Sequence, residues 1–208
     1  MPSPIVHLDV LYHFYKELNK PLDAEVVLGV ISPDAIHIRA NQTWEDKAIT
    51  HFYRASEEGY SVALLQAKQR LKTTHPSFLF GYLIHIYTDY WWRDDIYAPY
   101  FHREKERITR SKLYELYYAD LAHFDQQILN EATWLEEVTH LLRECEPLAA
   151  PPLLTEQEVM AWKDKVVTID LAQASNQEAS SSFQVLSESE LERFRIKIIQ
   201  QLKHQFFF

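Results

Sequence analysis

The sequence predicts an all-α fold, and three observations support this class. The chain of 208 residues contains only three glycines. It has no Asn-Gly or Asp-Gly pair of the kind that closes a tight β-hairpin. Apolar residues recur instead at the three- and four-residue intervals of amphipathic helices. With 47% hydrophobic and 25% charged residues, the composition is typical of a globular protein with a sizeable core.

Prolines and capping residues delimit the predicted helices in the first half of the chain. Pro4 opens a first helix, and Pro21 stops it. The second helix ends at Ser32-Pro33, because a residue that precedes proline avoids the helical region. Thr43 offers a cap for a third helix. The predicted helices in this half cover residues 4–19, 22–31, 43–51, 57–72 and 76–95.

Three prolines mark the clearest break in the second half of the chain. Pro147, Pro151 and Pro152 lie close together between helical patterns. We therefore predict a main helical domain over residues 1–146 and a helical C-terminal appendage over residues 147–208. The predicted helices in this half cover residues 103–131, 133–145, 155–163 and 189–203.

The appendage contains a connection and a final helix. Residues 175–189 are rich in serine, glutamine and glutamate, a composition that predicts a mobile connection. In the last helix, Leu191, Phe194, Ile198 and Leu202 share one face, which we expect to be buried.

The charge and the cysteine content limit the classes of partner. A formal net charge of −9 argues against a nucleic-acid groove with a basic face. Phosphate-bearing substrates remain compatible with this charge, because a bound metal ion changes the local field. The single cysteine, Cys145, excludes an intramolecular disulfide and a cysteine-based zinc knuckle. Histidine, aspartate and glutamate must therefore hold any metal ion.

The sequence also predicts a cytoplasmic protein. Its first residues lack the basic and apolar regions of a secretory signal. It contains no stretch of about 18 uncharged apolar residues, so no transmembrane segment is predicted.

The aromatic-rich segment 78–92 carries the most informative spacing. Read as a helix, it places His85 and Asp89 one turn apart on the same face of an otherwise apolar rod. Burying an imidazole and a carboxylate is costly unless something satisfies them. A divalent metal ion does so, because both groups are zinc ligands. The alternative is a buried His–Asp hydrogen bond that only holds helices together.

Three further polar residues fall in segments with the pattern of buried helix. His7 lies in the first predicted helix, Asp34 follows the second, and His51 ends the third. They join His85 and Asp89 as candidate metal ligands. Each has an alternative: a partly buried histidine on an amphipathic helix, a turn or cap aspartate, and a core histidine bonded to a carbonyl.

Two of the three glycines lie close to these candidates in the sequence. Gly29 precedes Asp34 by five residues, and Gly81 precedes His85 by four. A glycine inside a helix costs about 1 kcal/mol relative to alanine. We therefore expect two helices to approach closely around the candidate ligands, although close packing without a metal ion has the same signature.

Taken together, these residues resemble the bacterial zinc-dependent phospholipase C family, a group of all-helical metallohydrolases akin to the P1-type nucleases. The similarity rests on the order His, Pro-Asp, Thr-His-Phe and Gly-Tyr-x-x-His-x-x-x-Asp. It covers roughly residues 5–95, and its strongest segments are 32–35 and 81–89. The resemblance implies a multi-helix phospholipase C/P1 nuclease-like bundle as the metal-binding domain, residues 1–146.

The resemblance also implies roles for the candidate residues. Asp34, His51, His85 and Asp89 correspond to the family's ligands for one zinc ion, and Asp89 would bridge to a second ion that His7 helps to hold. The aspartate that corresponds to Asp34 is the family's favoured general base.

Two features of the family's metal site are not expected in this chain. Founding members use the α-amino group of a processed N-terminal tryptophan as a ligand, whereas here His7 follows Met1 too soon. They also complete a third zinc site with two histidines and a glutamate downstream, which we do not expect here. The resemblance therefore implies one zinc ion or two.

Three cationic residues are candidates for binding a substrate. His37 and Arg39 closely follow Asp34, and Arg93 lies one turn beyond Asp89. A cation near a metal site can hold a phosphate oxygen. For both arginines, the alternative is a solvated charge at the end of a helix.

Two functions of different classes are compatible with these residues. The first is a zinc-dependent hydrolase in which Asp34 acts as the base on a small phosphoester or phospholipid-like substrate. The second is a non-catalytic helical protein that keeps the metal ion as a structural clamp and acts through partner binding. A third possibility is that no metal binds, and that the histidines and aspartates form buried hydrogen-bond networks.

Overall fold

All regular secondary structure is helical in residues 1–175 and 182–207, the ranges that the computed structural model describes. The predicted all-α class is therefore confirmed. The α-helices are α1 (Pro4–Glu17), α2 (Ala24–Ile31), α3 (Trp44–Thr50), α4 (Tyr53–Ser56), α5 (Tyr60–Arg70), α6 (Pro76–Trp92), α7 (Ala98–Glu104), α8 (Arg110–Glu131), α9 (Leu135–Glu144), α10 (Glu156–Lys165) and α11 (Glu188–Phe207). Other helical turns follow three of them: a 3₁₀ segment (Ser32–Ile38) after α2, a π segment (Arg93–Tyr97) after α6, and a π segment (Val166–Asp170) with a 3₁₀ segment (Leu171–Ser175) after α10.

Polar caps start two helices where the sequence predicts them. Ser3 Oγ accepts a hydrogen bond from the backbone N–H of Val6 at 3.2 Å, and α1 opens with Pro4. Thr43 and Asp46 form a capping box at the start of α3. These caps satisfy N–H groups that the first turn of a helix leaves without a partner.

Two predicted helix ends differ from the structure. Ser32 adopts helical angles, φ −66° and ψ −34°, and the chain continues through Pro33 as a 3₁₀ segment. Proline is tolerated there because the first turn of a helix needs no N–H donor at that position. The helix predicted to end near residue 95 continues instead through the π segment into α7. A π-helical turn, which is wider than an α-helical turn, suits this position, because Pro99 has no N–H group to donate to a regular α-helical hydrogen bond.

Two predicted long helices are shorter in the structure. Gly59 adopts a φ of 123°, a conformation that favours glycine, and separates α4 from α5. The helix predicted over 57–72 is thus limited to Tyr60–Arg70. The prediction of one helix over 103–131 is wrong, because α7 ends and α8 starts only after Thr109, whose side chain caps it.

The helices α2 and α6 lie in backbone contact at two glycines. A Cβ atom on Gly29 would lie 2.1 Å from the carbonyl oxygen of Phe78, and one on Gly81 would lie 2.2 Å from that of Val26. Any larger residue would therefore force the helices apart. This agrees with the close approach predicted from the two glycines. It brings the 3₁₀ segment after α2 beside the middle of α6.

The C-terminal helices share the hydrophobic core of the N-terminal half. The helix α10 packs against the 3₁₀ segment after α2, and α11 packs against α1 and α6. Leu191, Phe194, Ile198 and Leu202 are buried, as their spacing predicts. The predicted domain boundary at residue 146 stays a prediction.

The connection predicted over 175–189 lies partly outside the described residues. In its described part, the carboxylate of Asp120 accepts the backbone N–H groups of Gln184, Val185 and Leu186, each at 2.8 Å. A buried carboxylate that binds three N–H groups holds this stretch of chain in place just before α11.

Candidate metal centre

The five side chains predicted as metal ligands meet in one buried cluster. His7 comes from α1, Asp34 from the 3₁₀ segment after α2, His51 from the end of α3, and His85 and Asp89 from α6. None is more than 7% exposed. The ligand atoms form two groups, and within each group the atoms lie within 4.8 Å of one another. The first group comes from His7, His85 and Asp89, and the second from Asp34, His51 and His85.

Asp89 lies in the middle of the cluster, and its two oxygens face different histidines. Its Oδ1 is 3.4 Å from His7 Nε2, whereas its Oδ2 is 3.8 Å from both His51 Nε2 and His85 Nε2. Asp34 Oδ1 is 3.1 Å from His51 Nε2. Tetrahedral zinc with bonds of about 2.1 Å separates its ligand atoms by about 3.4 Å. The observed separations fit ligands that share an ion.

Backbone carbonyls orient two of the imidazoles. His85 Nδ1 lies 2.8 Å from the carbonyl oxygen of Val30, and His51 Nδ1 lies 3.0 Å from that of Lys47. A carbonyl only accepts, so each Nδ1 carries the proton and donates it. Each Nε2 is then directed at the carboxylates. This is how a second partner commonly fixes the tautomer of a metal-binding histidine.

The charge states of the cluster are those that metal ligands need. Burial lowers the pKa of His85 to about 3, so this imidazole is neutral at neutral pH. Burial alone would raise the pKa of Asp34, but its neighbours His37, His51 and Lys47 hold this pKa well below its usual range. Burial likewise opposes ionisation of Asp89, yet its histidine neighbours lower its pKa. Neutral imidazoles and ionised carboxylates form a suitable donor set for a divalent cation.

Four buried polar atoms of this cluster have no hydrogen-bond partner among the described residues. They are both ring nitrogens of His7, His85 Nε2 and Asp89 Oδ1. Leaving such atoms unpaired in a protein interior costs about 1–3 kcal/mol each. Native structures rarely do so without a reason, and a bound ion is one such reason. The residues therefore fit a metal ion.

One edge of the cluster faces solvent at Asp34. Lys47 Nζ lies 3.7 Å from Asp34 Oδ1 and 3.1 Å from His37 Nε2. The side chains of Lys47 and His37 are 21% and 33% exposed. Gln42 Nε2 holds the other ring nitrogen of His37 at 2.8 Å. Two basic side chains therefore line the accessible edge of the candidate centre.

A cleft too narrow for a water molecule borders the cluster at His51 and Asp89. Tyr53 donates a hydrogen bond to Asp89 Oδ2 at 3.2 Å, and Arg93 Nη1 donates to Ser56 Oγ at 2.8 Å. These two bonds close the cleft beside His51.

The structure brings two of the three predicted substrate-binding residues to the cluster. His37 Nε2 lies 3.6 Å from Asp34 Oδ1, and Arg93 lines the narrow cleft. Arg39 is engaged elsewhere, because its guanidinium pairs with Glu158 at 2.7 Å and with Asp46 at 3.3 Å. It ties α10 to the 3₁₀ segment after α2.

Sequence reasoning missed two residues of the site. Lys47 precedes His51 by four residues on α3, a spacing that places both on one helix face and could have indicated it. Tyr53 follows a turn in which Phe52 adopts a left-handed φ of 54°. No sequence pattern predicts that turn, and it is this turn that directs Tyr53 towards Asp89.

The amino group of Met1 also lies near the cluster. Burial lowers its pKa to about 6, although the charges of Asp89 and Asp34 act in the opposite direction.

Comparisons with protein-family models, with curated proteins and with solved structures found no match to this chain. Membership of the phospholipase C family therefore stays a prediction. Within the described ranges, every helix is too short or too polar to cross a membrane.

Proposed function

We propose that the protein is a metal-dependent phosphoester hydrolase whose metal ion is zinc. Asp34, His51, His85 and Asp89 would hold one ion, and His7 would join a second ion through the other oxygen of Asp89. The observation that carries this proposal is the convergence of three unpartnered buried atoms, His7 Nε2, His85 Nε2 and Asp89 Oδ1. The resemblance to zinc-dependent phospholipase C enzymes supports the same assignment.

Zinc bound in such a site lowers the pKa of a water molecule and polarises a phosphoryl oxygen. Asp34 is the ligand nearest to solvent, and its carboxylate is ionised at neutral pH. It would accept the proton of the attacking water as a general base. His51 Nε2, at 3.1 Å, and Lys47 Nζ, at 3.7 Å, lie beside this carboxylate.

The charge at the accessible edge supports an anionic substrate. Lys47 and His37 face solvent next to Asp34, so they would contact the phosphate oxygens of an incoming ester. A small phosphoester would offer a phosphate to these two side chains, and a phospholipid-like headgroup offers the same phosphate chemistry. Arg93 lies in the narrow cleft and would reach such a substrate only after the cleft opens.

The test combines zinc content with turnover. Zinc-loaded protein is assayed with p-nitrophenyl phosphate and bis(p-nitrophenyl) phosphate, beside Asp34→Asn. We expect turnover in the wild type and a loss of about 100-fold or more in the variant, the usual effect of removing a general base. Asp164→Asn is the matched control, because Asp164 is 72% exposed and far from the cluster in sequence. If fully zinc-loaded protein turns over neither ester, the proposal is wrong.

A second candidate is a structural metal clamp in a protein that acts through partner binding. The burial of all five ligands, none more than 7% exposed, favours it, since a clamp needs no access for substrate. Chelation separates the two functions. A clamp predicts full zinc occupancy without turnover and a large fall in melting temperature on chelation.

A further inference from the structure

A surface groove away from the metal cluster combines aromatic rings with positive charge. It lies between α7, the start of α8 and the end of the π segment, and it has a volume of about 390 Å³. Pockets that bind small molecules range from about 300 to 1,000 Å³. The lining consists of Tyr97, Phe101, His102, Lys105, Arg110, Leu113 and Tyr114.

Three rings form the apolar part of the groove. Tyr97 and Phe101 lie 4.4 Å apart between ring centroids, and Phe101 and Tyr114 lie 4.9 Å apart. The hydroxyl groups of the two tyrosines are 3.1 Å from each other. Such a set of ring faces offers a surface on which a planar aromatic ligand can stack.

Three basic side chains surround the rings, and the lining contains no acidic residue. Arg110 Nη2 donates to the hydroxyl of Tyr114 at 3.5 Å, and the guanidinium lies 5.8 Å from the centroid of that ring. Arg110 forms no ion pair with a carboxylate of the described residues. His102 and Lys105 likewise form no ion pair within the described part of the chain.

Lys105 and Arg110 lie together at one groove of an acidic protein. The chain carries a net charge of −9, and most of its basic side chains pair with nearby carboxylates. A concave site with three unpaired basic groups therefore attracts an anion that the rest of the surface repels. The rings add a preference for an aromatic body on that anion.

We propose that this groove binds a small molecule in which a planar aromatic ring carries an anionic group, of the size of a nucleoside monophosphate. The ring stacks against Tyr114 and Phe101, and Arg110 and Lys105 bind the anion. The site is independent of the metal cluster and of the hydrolase proposal.

The test is a calorimetric titration of the protein as purified with adenosine monophosphate, and substitutions in the groove separate this binding from any at the metal centre. Adenosine and inorganic phosphate are titrated in parallel. We expect adenosine monophosphate to bind saturably and at least about tenfold more tightly than either part alone, since ring and anion act together. Equal binding of inorganic phosphate, equal binding of adenosine, or no binding of the monophosphate overturns the proposal.

Substitutions locate the binding to the groove. Arg110→Gln removes the charge, and Tyr114→Leu removes a stacking face. Each should weaken binding by about tenfold, which corresponds to about 1.4 kcal/mol. Arg143→Gln is the matched control, because Arg143 is an exposed arginine on α9 outside the groove. Binding that is unchanged in Arg110→Gln, or lost equally in Arg143→Gln, also overturns the proposal.

Discussion

The imidazole rings of His7 and His85 stack with their centroids 3.8 Å apart and their planes 13° from parallel. They belong to α1 and α6, so the stack joins two helices that are far apart in sequence. Each ring leaves a buried Nε2 without a partner. Two imidazoles can lie this close only when they do not both carry charge, a state that suits metal ligands.

Metal content is expected to depend on the ring at position 51. His51→Ala removes a ligand atom that lies 3.1 Å from Asp34 and 3.8 Å from Asp89. We expect zinc-loaded wild-type protein to retain zinc on gel filtration and this variant to retain at least one ion fewer. Elemental analysis measures the difference.

The control for that comparison is His140→Ala, which removes an exposed histidine on α9. It should retain as much zinc as the wild type. Circular dichroism confirms that all three proteins are folded. If wild type and His51→Ala are both free of metal after loading, the metal centre and the hydrolase proposal are both wrong.

Gly81→Ala is expected to destabilise the protein by about 3 kcal/mol, at the upper end of typical overpacking effects. The added Cβ would lie 2.2 Å from the carbonyl oxygen of Val26 and 2.8 Å from the N of Val30. These are backbone atoms of α2, so the helices must separate. Separation also lengthens the hydrogen bond from His85 to the carbonyl of Val30. Urea unfolding measures the change.

Gly59→Ala provides the contrast. Nothing lies within 4 Å of a Cβ built on this glycine, although its φ of 123° is strained for alanine. We expect a smaller loss, about 1 kcal/mol, from backbone strain alone. An equal loss in both variants would mean that close packing of α2 on α6 is not the cause.

Arg195→Met is expected to destabilise the protein by about 3 kcal/mol, because it leaves the buried carboxylate of Asp9 without its main counter-charge. Arg195 Nε lies 2.8 Å from Asp9 Oδ2, and Asp9 also accepts from Trp134 Nε1 at 3.0 Å. The pair joins α11 to α1. Arg193→Met, an exposed arginine on the same helix, should change the free energy of unfolding by less than about 0.5 kcal/mol.

The same variants test the predicted boundary at residue 146. If α11 unfolds together with the N-terminal half, Arg195→Met lowers the midpoint of a single transition. If the appendage unfolds independently, the loss is confined to one of two transitions. Thermal unfolding monitored by circular dichroism separates the two outcomes.

The part of the site that could be predicted from local sequence is the part that lies on one helix. His85 and Asp89 share a face because the helical repeat requires it, and the structure has both side chains in the cluster. The close contact of α2 and α6 was also predictable, because Gly29 and Gly81 remove the side chains that would prevent it. Both inferences depend on residues that lie within a few positions of a candidate ligand in the sequence.

The remaining ligands could not be placed by local reasoning. Nothing near His7 indicates that its ring stacks on a residue of α6, and the resemblance to a family implied only that His7 helps to hold a second ion. Tyr53 depends on a left-handed turn at Phe52 that has no glycine or asparagine to mark it. The break between α7 and α8 carries no proline, although the capping residue Thr109 was a usable signal.

The contribution of Asp125 to the stability of the protein is expected to fall as the pH rises towards 7. Burial raises the pKa of this carboxyl from 3.8 to about 7, although a hydrogen bond from Ser3 Oγ acts in the opposite direction. Between these two values the folded protein keeps a proton that the unfolded chain releases. The stability from this group is therefore present below about pH 4 and lost as the pH rises through about 7.

Asp125→Asn removes that dependence, since the amide does not titrate and its oxygen can still accept from Ser3. Between pH 5 and about 8, the stability of the wild type should fall relative to that of the variant, as measured by urea unfolding at each pH. Asp164→Asn, at a side chain that is 72% exposed, should follow the wild-type profile. Parallel profiles for Asp125→Asn and the wild type would show that the Asp125 carboxyl is ionised in the folded protein throughout this range.

Lys47→Met is expected to weaken the binding of anionic substrates without reducing zinc content. Lys47 Nζ lies 3.7 Å from Asp34 Oδ1 at the accessible edge, but an ammonium group is not a ligand for a cation. We expect the KM for p-nitrophenyl phosphate to rise about tenfold, equivalent to about 1.4 kcal/mol, with a smaller change in kcat.

Two further variants serve as controls for Lys47→Met. Lys47→Arg should recover part of the loss, because it restores the charge. Lys68→Met, at an exposed lysine of α5, should have no effect. A KM that stays constant in Lys47→Met would assign this lysine to charge balance at Asp34 alone, and would leave His37 as the one basic group at this edge of the centre among the residues described.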